Sequence, residues 1–253
     1  MEPILTIKNV SKKFGGVVAA KDISFEVMPD RIHGLIGPNG AGKSTLMNII
    51  NGLISLDSGS VYLGNKNITR LPAYTRSRMG IGRTFQTPRF LNRSNIEVNL
   101  RLGTDLANHR IGYLKSFFGK QDTKFENELE SYMENAGFSI DIDNDVSSLT
   151  YGQLKFLEII RSLLAHPKVI LVDEPAAGLN DKETEKVVAL LNKAAYEYGI
   201  GVLLIEHAMD VVMSICKEIV VVNFGEIIAR GTPQEVSSNQ DVITAYLGRD
   251  TND

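Results

Sequence analysis

Nine consecutive residues, Gly37-Pro38-Asn39-Gly40-Ala41-Gly42-Lys43-Ser44-Thr45, combine three glycines with a lysine and two adjacent hydroxyls. A turn of this kind lets backbone N–H groups point inward around phosphate oxygens, because no Cβ obstructs them. The preceding IHGLIG reads as a buried strand running into the turn, and a helix is expected from about Lys43. Its N-terminal end would add a positive partial charge at the phosphates. In this strand–loop–helix setting Lys43 should reach the β- and γ-phosphates of a nucleotide, and the Ser44 hydroxyl should hold Mg²⁺.

A second chemical signal lies downstream in VILVDEP, where Asp173 and Glu174 follow an apolar strand. Two carboxylates at a strand's carboxyl end can divide the labour of phosphoryl transfer. Asp173 is expected to anchor Mg²⁺ through water, and Glu174 to orient and deprotonate the attacking water. Alone, the pair would read equally well as a solvated acidic turn closed by Pro175. Beside the phosphate loop, the catalytic reading takes precedence.

The elements that must hold these groups are legible in outline. Residues 4–10 and 23–27 alternate apolar and polar side chains like strands about a Gly15-Gly16 turn. After Gln86 the pattern is helical and polar to about Ser148, with one helix opening at Asn95-Ile96-Glu97 and another ending at Gly137. Strands return at 169–173, 202–207 and 218–224, separated by helices, which predicts βαβ units and a parallel sheet. Phe224-Gly225 reads as a hairpin turn, and Thr232-Pro233-Gln234-Glu235 as a capped helix start. The expected fold is an α/β core interrupted by a helical insertion.

Composition narrows the function. The 253 residues are 43% hydrophobic and 23% charged with a net charge of −3, so broad attraction to nucleic acid is not expected. A single cysteine, Cys216, forms no internal disulfide and reads as a small buried side chain. MEPILTIKNV lacks the pattern of a secretory signal, and the apolar runs are too short to span a bilayer. Any transmembrane path would therefore have to come from another chain.

The segment SSLTYGQLKFLEIIRSLLAHP identifies a family. Leu149-Thr150-Tyr151-Gly152-Gln153 resembles the ABC ATPase signature usually written LSGGQ, with Thr150 in place of serine and Tyr151 in place of the first glycine. The resemblance covers essentially the whole chain. It implies a P-loop NTPase (RecA-like) core, residues 1–88 and 159–253, with an antiparallel β subdomain. Residues 89–158 would form an inserted α-helical subdomain. It further implies ATP and Mg²⁺ sandwiched between two ATPase subunits, with Thr150, Tyr151, Gly152 and Gln153 of one covering the γ-phosphate held by the other. By the same resemblance Gln86, in RTFQTPRF, matches the Q-loop glutamine that reaches Mg²⁺ and the water. His207, in LLIEHAMD, matches the switch histidine at the γ-phosphate. Asn180 stands where the family commonly has a D-loop aspartate. Phe14 matches the aromatic that stacks on adenine, although an edge-strand phenylalanine reads nearly as well.

RTFQTPRF, LTYGQLKFLEI, DEPAAGLN, IEHAMDVVM and GTPQEVSSNQDVITAYLG most resemble the ATP-binding subunit of branched-chain amino-acid importers. That resemblance implies transmembrane permease subunits as partners, an indirect link to a solute-binding protein, and a peripheral position on the cytoplasmic face of the cell membrane. Urea or amide importers and the lipopolysaccharide-export ATPase share several of these stretches, and no residue here reads the solute. A DNA-repair or chromosome-organising relative would need a coiled-coil or zinc insertion between Gln86 and Leu149, which has neither heptads nor cysteines. A translation-factor relative would carry two motif sets. A binding-only module is disfavoured by the intact Glu174 and His207. Between Gly103 and Leu129, Ile111, Leu114, Phe117 and Phe118 alternate with Arg110, Lys115 and Lys120. This stretch reads either as a packed helix or as a contact with the membrane or a partner loop.

Overall fold

A computed structural model of the chain describes residues 1–108, 123–135 and 137–247. Strands β1 (Leu5–Phe14) and β2 (Val17–Val27) form an antiparallel hairpin around Gly15 and Gly16. Both run further than their alternation suggests. Asn9 and Asp22 adopt positive φ values of 50° and 52°, and the Asn9 side-chain amide donates to Asp22 Oδ1 at 2.7 Å. The ladder shifts register there, so the period-two pattern breaks while the pairing continues. With β4 (Ser58–Leu63) and β5 (Lys66–Asn67), these strands make an antiparallel sheet in the order β2-β1-β4-β5.

The second sheet comprises β3 (Ile32–Ile36), β6 (Ile81–Arg83), β7 (Val169–Asp173), β8 (Gly201–Ile205), β9 (Glu218–Asn223) and β10 (Glu226–Gly231). Its order is β10-β9-β3-β8-β7-β6, and every pair is parallel except the β9–β10 hairpin. Phe224 and Gly225 turn that hairpin with φ of 46° and 78°, as a two-residue loop with both central φ positive requires. β3, β7 and β8 are buried at every residue, which their unbroken apolar runs reflect.

Each face of this sheet has its own core. On one side α1 (Lys43–Asn51) and the antiparallel sheet enclose Ile7, Phe25, Leu46, Ile50, Leu171 and Leu203. On the other, α5 (Tyr151–Leu164), α6 (Asp181–Tyr196) and α7 (Met209–Ile215) pack over Ile170, Val172 and Leu204. Outside α5 lie α3 (Ile96–Asn108) and α4 (Thr123–Asn135), which contribute Leu100 and Leu129 to that core. The short α2 (Ala73–Arg78) precedes β6. This is the α/β core with added helices that the residues predict, and the antiparallel β layer that the family resemblance implies.

Local signals act as anticipated. Gly137 (φ 56°) stops the chain beyond α4, and the Phe138 N–H returns to Met133 O at 3.0 Å. Thr232 caps α8 (Pro233–Ser237), its N–H donating to Glu235 Oε2 at 2.7 Å, and α9 (Gln240–Leu247) follows. Cys216 is buried, and burial pushes its thiol up to about 12. The basic amphipathic stretch from Arg110 to Lys120 lies outside the described residues.

The antiparallel layer is locked directly onto the glycine-rich loop. Lys21 N–H donates to Gly225 O at 2.7 Å, and Gly225 N–H to Ala41 O at 3.0 Å. Gly42, with φ 107°, lies so close to β2 that a Cβ would stand 2.1 Å from Ala19 O. Gly42→Ala combines left-handed strain with a backbone clash, at a cost of about 1–3 kcal/mol or more. A melting temperature several degrees below wild type is expected in calorimetry; an unchanged one would contradict this packing.

Candidate active site

Four neighbouring parallel strands, in the order β3-β8-β7-β6, deliver their carboxyl ends to one sheet edge. The loop Gly37–Thr45 follows β3, Glu206-His207 follows β8, Glu174 follows β7, and Thr84-Phe85-Gln86 follows β6. Pro38 is buried, Asn39 and Gly40 are exposed, and Ser44 faces solvent. Helix α1 begins after Gly42 with no side-chain cap, so its first N–H groups are not taken by a capping side chain. The Lys43 side chain is buried and donates to Gly37 O at 2.7 Å and Pro38 O at 2.9 Å. It lies within its own loop, where a phosphate could draw the ammonium away from neutral carbonyls.

Glu174 sits at the centre of the edge. Its backbone adopts φ 48°, unusual for a residue with a Cβ, and its N–H donates to Ile205 O at 2.8 Å. The carboxylate is held from two sides: Gln86 Nε2 donates to Oε2 at 2.7 Å, and His207 Nε2 lies 3.0 Å from Oε1. Three residues singled out on separate segments thus meet at one carboxylate. Glu206 fixes the surrounding loops by accepting from Ala176 N–H and His207 N–H, both at 3.1 Å. Burial raises the pKa of the Glu206 carboxyl, against these hydrogen bonds.

Asp173, buried at the end of β7, faces the Arg83 guanidinium at 3.5 Å. Burial raises its pKa, Arg83 opposes that shift, and Glu174 adds to it. Ser44, Asp173 and Gln86 each carry an oxygen donor of the hard kind that suits Mg²⁺. The Arg83 contact is long enough to leave the carboxylate capacity for a further partner.

The first turn of α5 is organised by its own side chains. Thr150 N–H donates to Gln153 Oε1 at 2.8 Å, and Gln153 N–H to Thr150 Oγ1 at 3.3 Å, a complete capping box. Gly152 lies against Glu183, whose carboxylate would be 2.3 Å from an added Cβ. Glu183 in turn forms the capping box of α6 with Asn180, whose Oδ1 accepts from Glu183 N–H at 3.0 Å. Asn180 is therefore engaged as a helix cap here. Tyr151 is half exposed, and its hydroxyl donates to Gln86 O at 3.4 Å. Phe14 ends β1 47% exposed, with the Lys12 ammonium 5.4 Å from its ring centroid.

The chain resembles known proteins over nearly its full length. The family model described as "ABC transporter" matches residues 20–177. The chain belongs to the ABC transporter ATP-binding family. A second model, "Branched-chain amino acid ATP-binding cassette transporter", matches residues 226–251. The high-affinity branched-chain amino acid transport ATP-binding protein LivG of Escherichia coli is 36% identical over 98% of each chain. BraF of Pseudomonas aeruginosa, similarly named, is 36% identical over 97% of this chain and 98% of its own. A solved ATP-binding cassette of an ABC transporter superposes with a TM-score of 0.84 at 32% identity, covering 98% of this chain and all of that one. Like its relatives, this ABC protein is an ATPase whose hydrolysis is coupled to transport.

Residue-level reading overlooked Arg83, Lys155 and Glu206, charges beside the acidic edge of which Lys155 and Glu206 are buried and Arg83 is half-buried. Glu206 adjoins the chosen histidine and so left a trace in sequence, whereas Lys155 is one of three charges in its helix, with Glu158 and Arg161, and left none. The capping box at α5 supports a direct test: Thr150→Ala should cost about 1 kcal/mol, or a fall of about 2–4 °C in melting temperature. Equal melting of variant and wild type would contradict the cap.

Proposed function

We propose that this chain is the ATP-hydrolysing subunit of an importer for branched-chain amino acids. The carrying observation is the Glu174 carboxylate, clasped by Gln86 and His207 on the edge that also bears the phosphate loop. The solute class is supported by the 226–251 match and by the relatives' names. ATP would lie on Gly37–Thr45, with Lys43 leaving the Gly37 and Pro38 carbonyls for the β- and γ-phosphates, and Phe14 against the adenine.

Glu174 is the proposed general base, taking a proton from the water aligned with the γ-phosphate. Gln86 and His207 each hold one of its two carboxylate oxygens and so aim the group. Ser44, Gln86 and Asp173 would hold Mg²⁺, which offsets phosphate charge when bound. A second ATPase subunit completes each site through Thr150, Tyr151, Gly152, Gln153 and Asn180. The first turn of α5, with Tyr151 exposed and Gly152, Gln153 and Leu154 half-buried ahead of the buried run 155–160, supports that role. Residues 89–158 would act as the helical subdomain that carries this turn.

No helix among the described residues is long and apolar enough to cross a membrane. Permease subunits would then form the path, with this chain peripheral on the cytoplasmic face and a solute-binding protein acting through them. Glu174→Gln should bind ATP yet lose about 10²-fold or more in turnover. Near-normal turnover would remove Glu174 from the mechanism. Lys43→Ala should lose nucleotide binding itself, measured by titration with a fluorescent ATP analogue; retained binding would contradict its phosphate contact. Radiolabelled leucine uptake in cells lacking the chain should return with wild type and not with Lys43→Ala. Uptake independent of the chain would overturn the solute and direct attention to urea uptake or lipid export.

A further inference from the structure

Lys155 lies one turn into α5 and is 2% exposed, a rare place for an ammonium group. Its Nζ donates to Glu174 O at 2.9 Å. Four carboxylates, Glu158, Glu206, Glu174 and Asp173, act on its charge and oppose the lowering of its pKa by burial. A buried cation is tolerated only where it is paired and hydrogen-bonded, and here the hydrogen bond falls on the residue after β7.

That residue needs holding. Glu174 keeps a left-handed backbone despite its Cβ, a conformation that persists only when its surroundings impose it. Both of its backbone polar groups are pinned: the N–H by Ile205 O of β8 at 2.8 Å, and the C=O by Lys155 of α5 at 2.9 Å together with the Ala177 N–H at 3.3 Å. With the backbone fixed at both ends, the side chain leaves toward Gln86 and His207. The same helix reaches the other partner too. Tyr151, one turn before Lys155 and 5.8 Å from its ammonium, donates its hydroxyl to Gln86 O.

We propose that Lys155 is a positioning residue for Glu174, its ammonium gripping the Glu174 carbonyl so that the carboxylate stays aimed at Gln86, His207 and the water. This rests on the reading of Glu174 as the base. Lys155 does not touch nucleotide in this arrangement, so its removal should change turnover and leave binding alone.

The test compares Lys155→Met, which keeps the stem and removes the charge, with Lys155→Arg, Glu174→Gln and the double variant Lys155→Met/Glu174→Gln. Lys155→Met should lose about tenfold or more in kcat, with KM, ATP affinity and melting temperature near wild type. Lys155→Arg, which retains a cationic donor, should recover most of that loss. In the Glu174→Gln background the Lys155→Met change should cost nothing further, since it acts through the missing carboxylate. The inference is overturned if Lys155→Met keeps wild-type kcat while Glu174→Gln collapses. It is also overturned if kcat, ATP affinity and melting temperature fall together in both Lys155 variants, or if the two losses multiply. Wild-type turnover in Glu174→Gln would instead defeat the base assignment, and this inference with it.

Discussion

Backbone N–H groups can surround a phosphate only where a chain leaves a strand, turns without side chains in the way, and enters a helix. The parallel sheet sets four strand exits side by side, and all else in this molecule serves that edge. The β3 exit offers the phosphate loop, the β7 exit two carboxylates, the β8 exit a histidine and the β6 exit a glutamine. Gln86 and Glu174 are 88 residues apart in the chain and 2.7 Å apart in space. Only crossover connections between parallel strands bring such distant segments to one line without long loops.

The edge concentrates buried charge, which is costly unless each group has a partner. Asp173 faces Arg83, Lys155 meets the Glu174 carbonyl, and Glu206 receives two backbone N–H groups. The Asp173 and Glu206 carboxyls are each pushed toward the neutral form by burial and back by a neighbour. The network fixes the loops that follow β7 and β8, and it carries the strained backbone of Glu174. Rigidity at that point matters because a base must keep its carboxylate in register with water and phosphate at once.

The parts of this arrangement that follow local rules were legible in the residues. VILVD is β7 residue for residue, Thr232 caps its helix, and Phe224-Gly225 turns its hairpin, because each depends on neighbours in the chain. The hairpin β1–β2 was seen only in part, since bulges at Asn9 and Asp22 reverse the alternation that marks a strand. In α5 the spacing of Leu154, Leu157, Ile160 and Leu164 marks one apolar face, with Lys155 off it. From Lys155 to Ile160 the helix is in fact enclosed, because α3 and α4 cover the side away from the sheet. No local pattern reports that enclosure, so the buried lysine was passed over. The meeting of Gln86, Glu174 and His207 was legible only through family likeness, never through spacing.

The central claim is that Gln86 and His207 act through one carboxylate. Single-turnover cleavage of bound ATP by Gln86→Ala, His207→Ala and the double variant tests it most directly. The account predicts cleavage of bound ATP slowed about tenfold or more in each single variant, and a double variant little worse than the slower single. Cleavage at the wild-type rate in either single variant, or losses that multiply in the double, would contradict it.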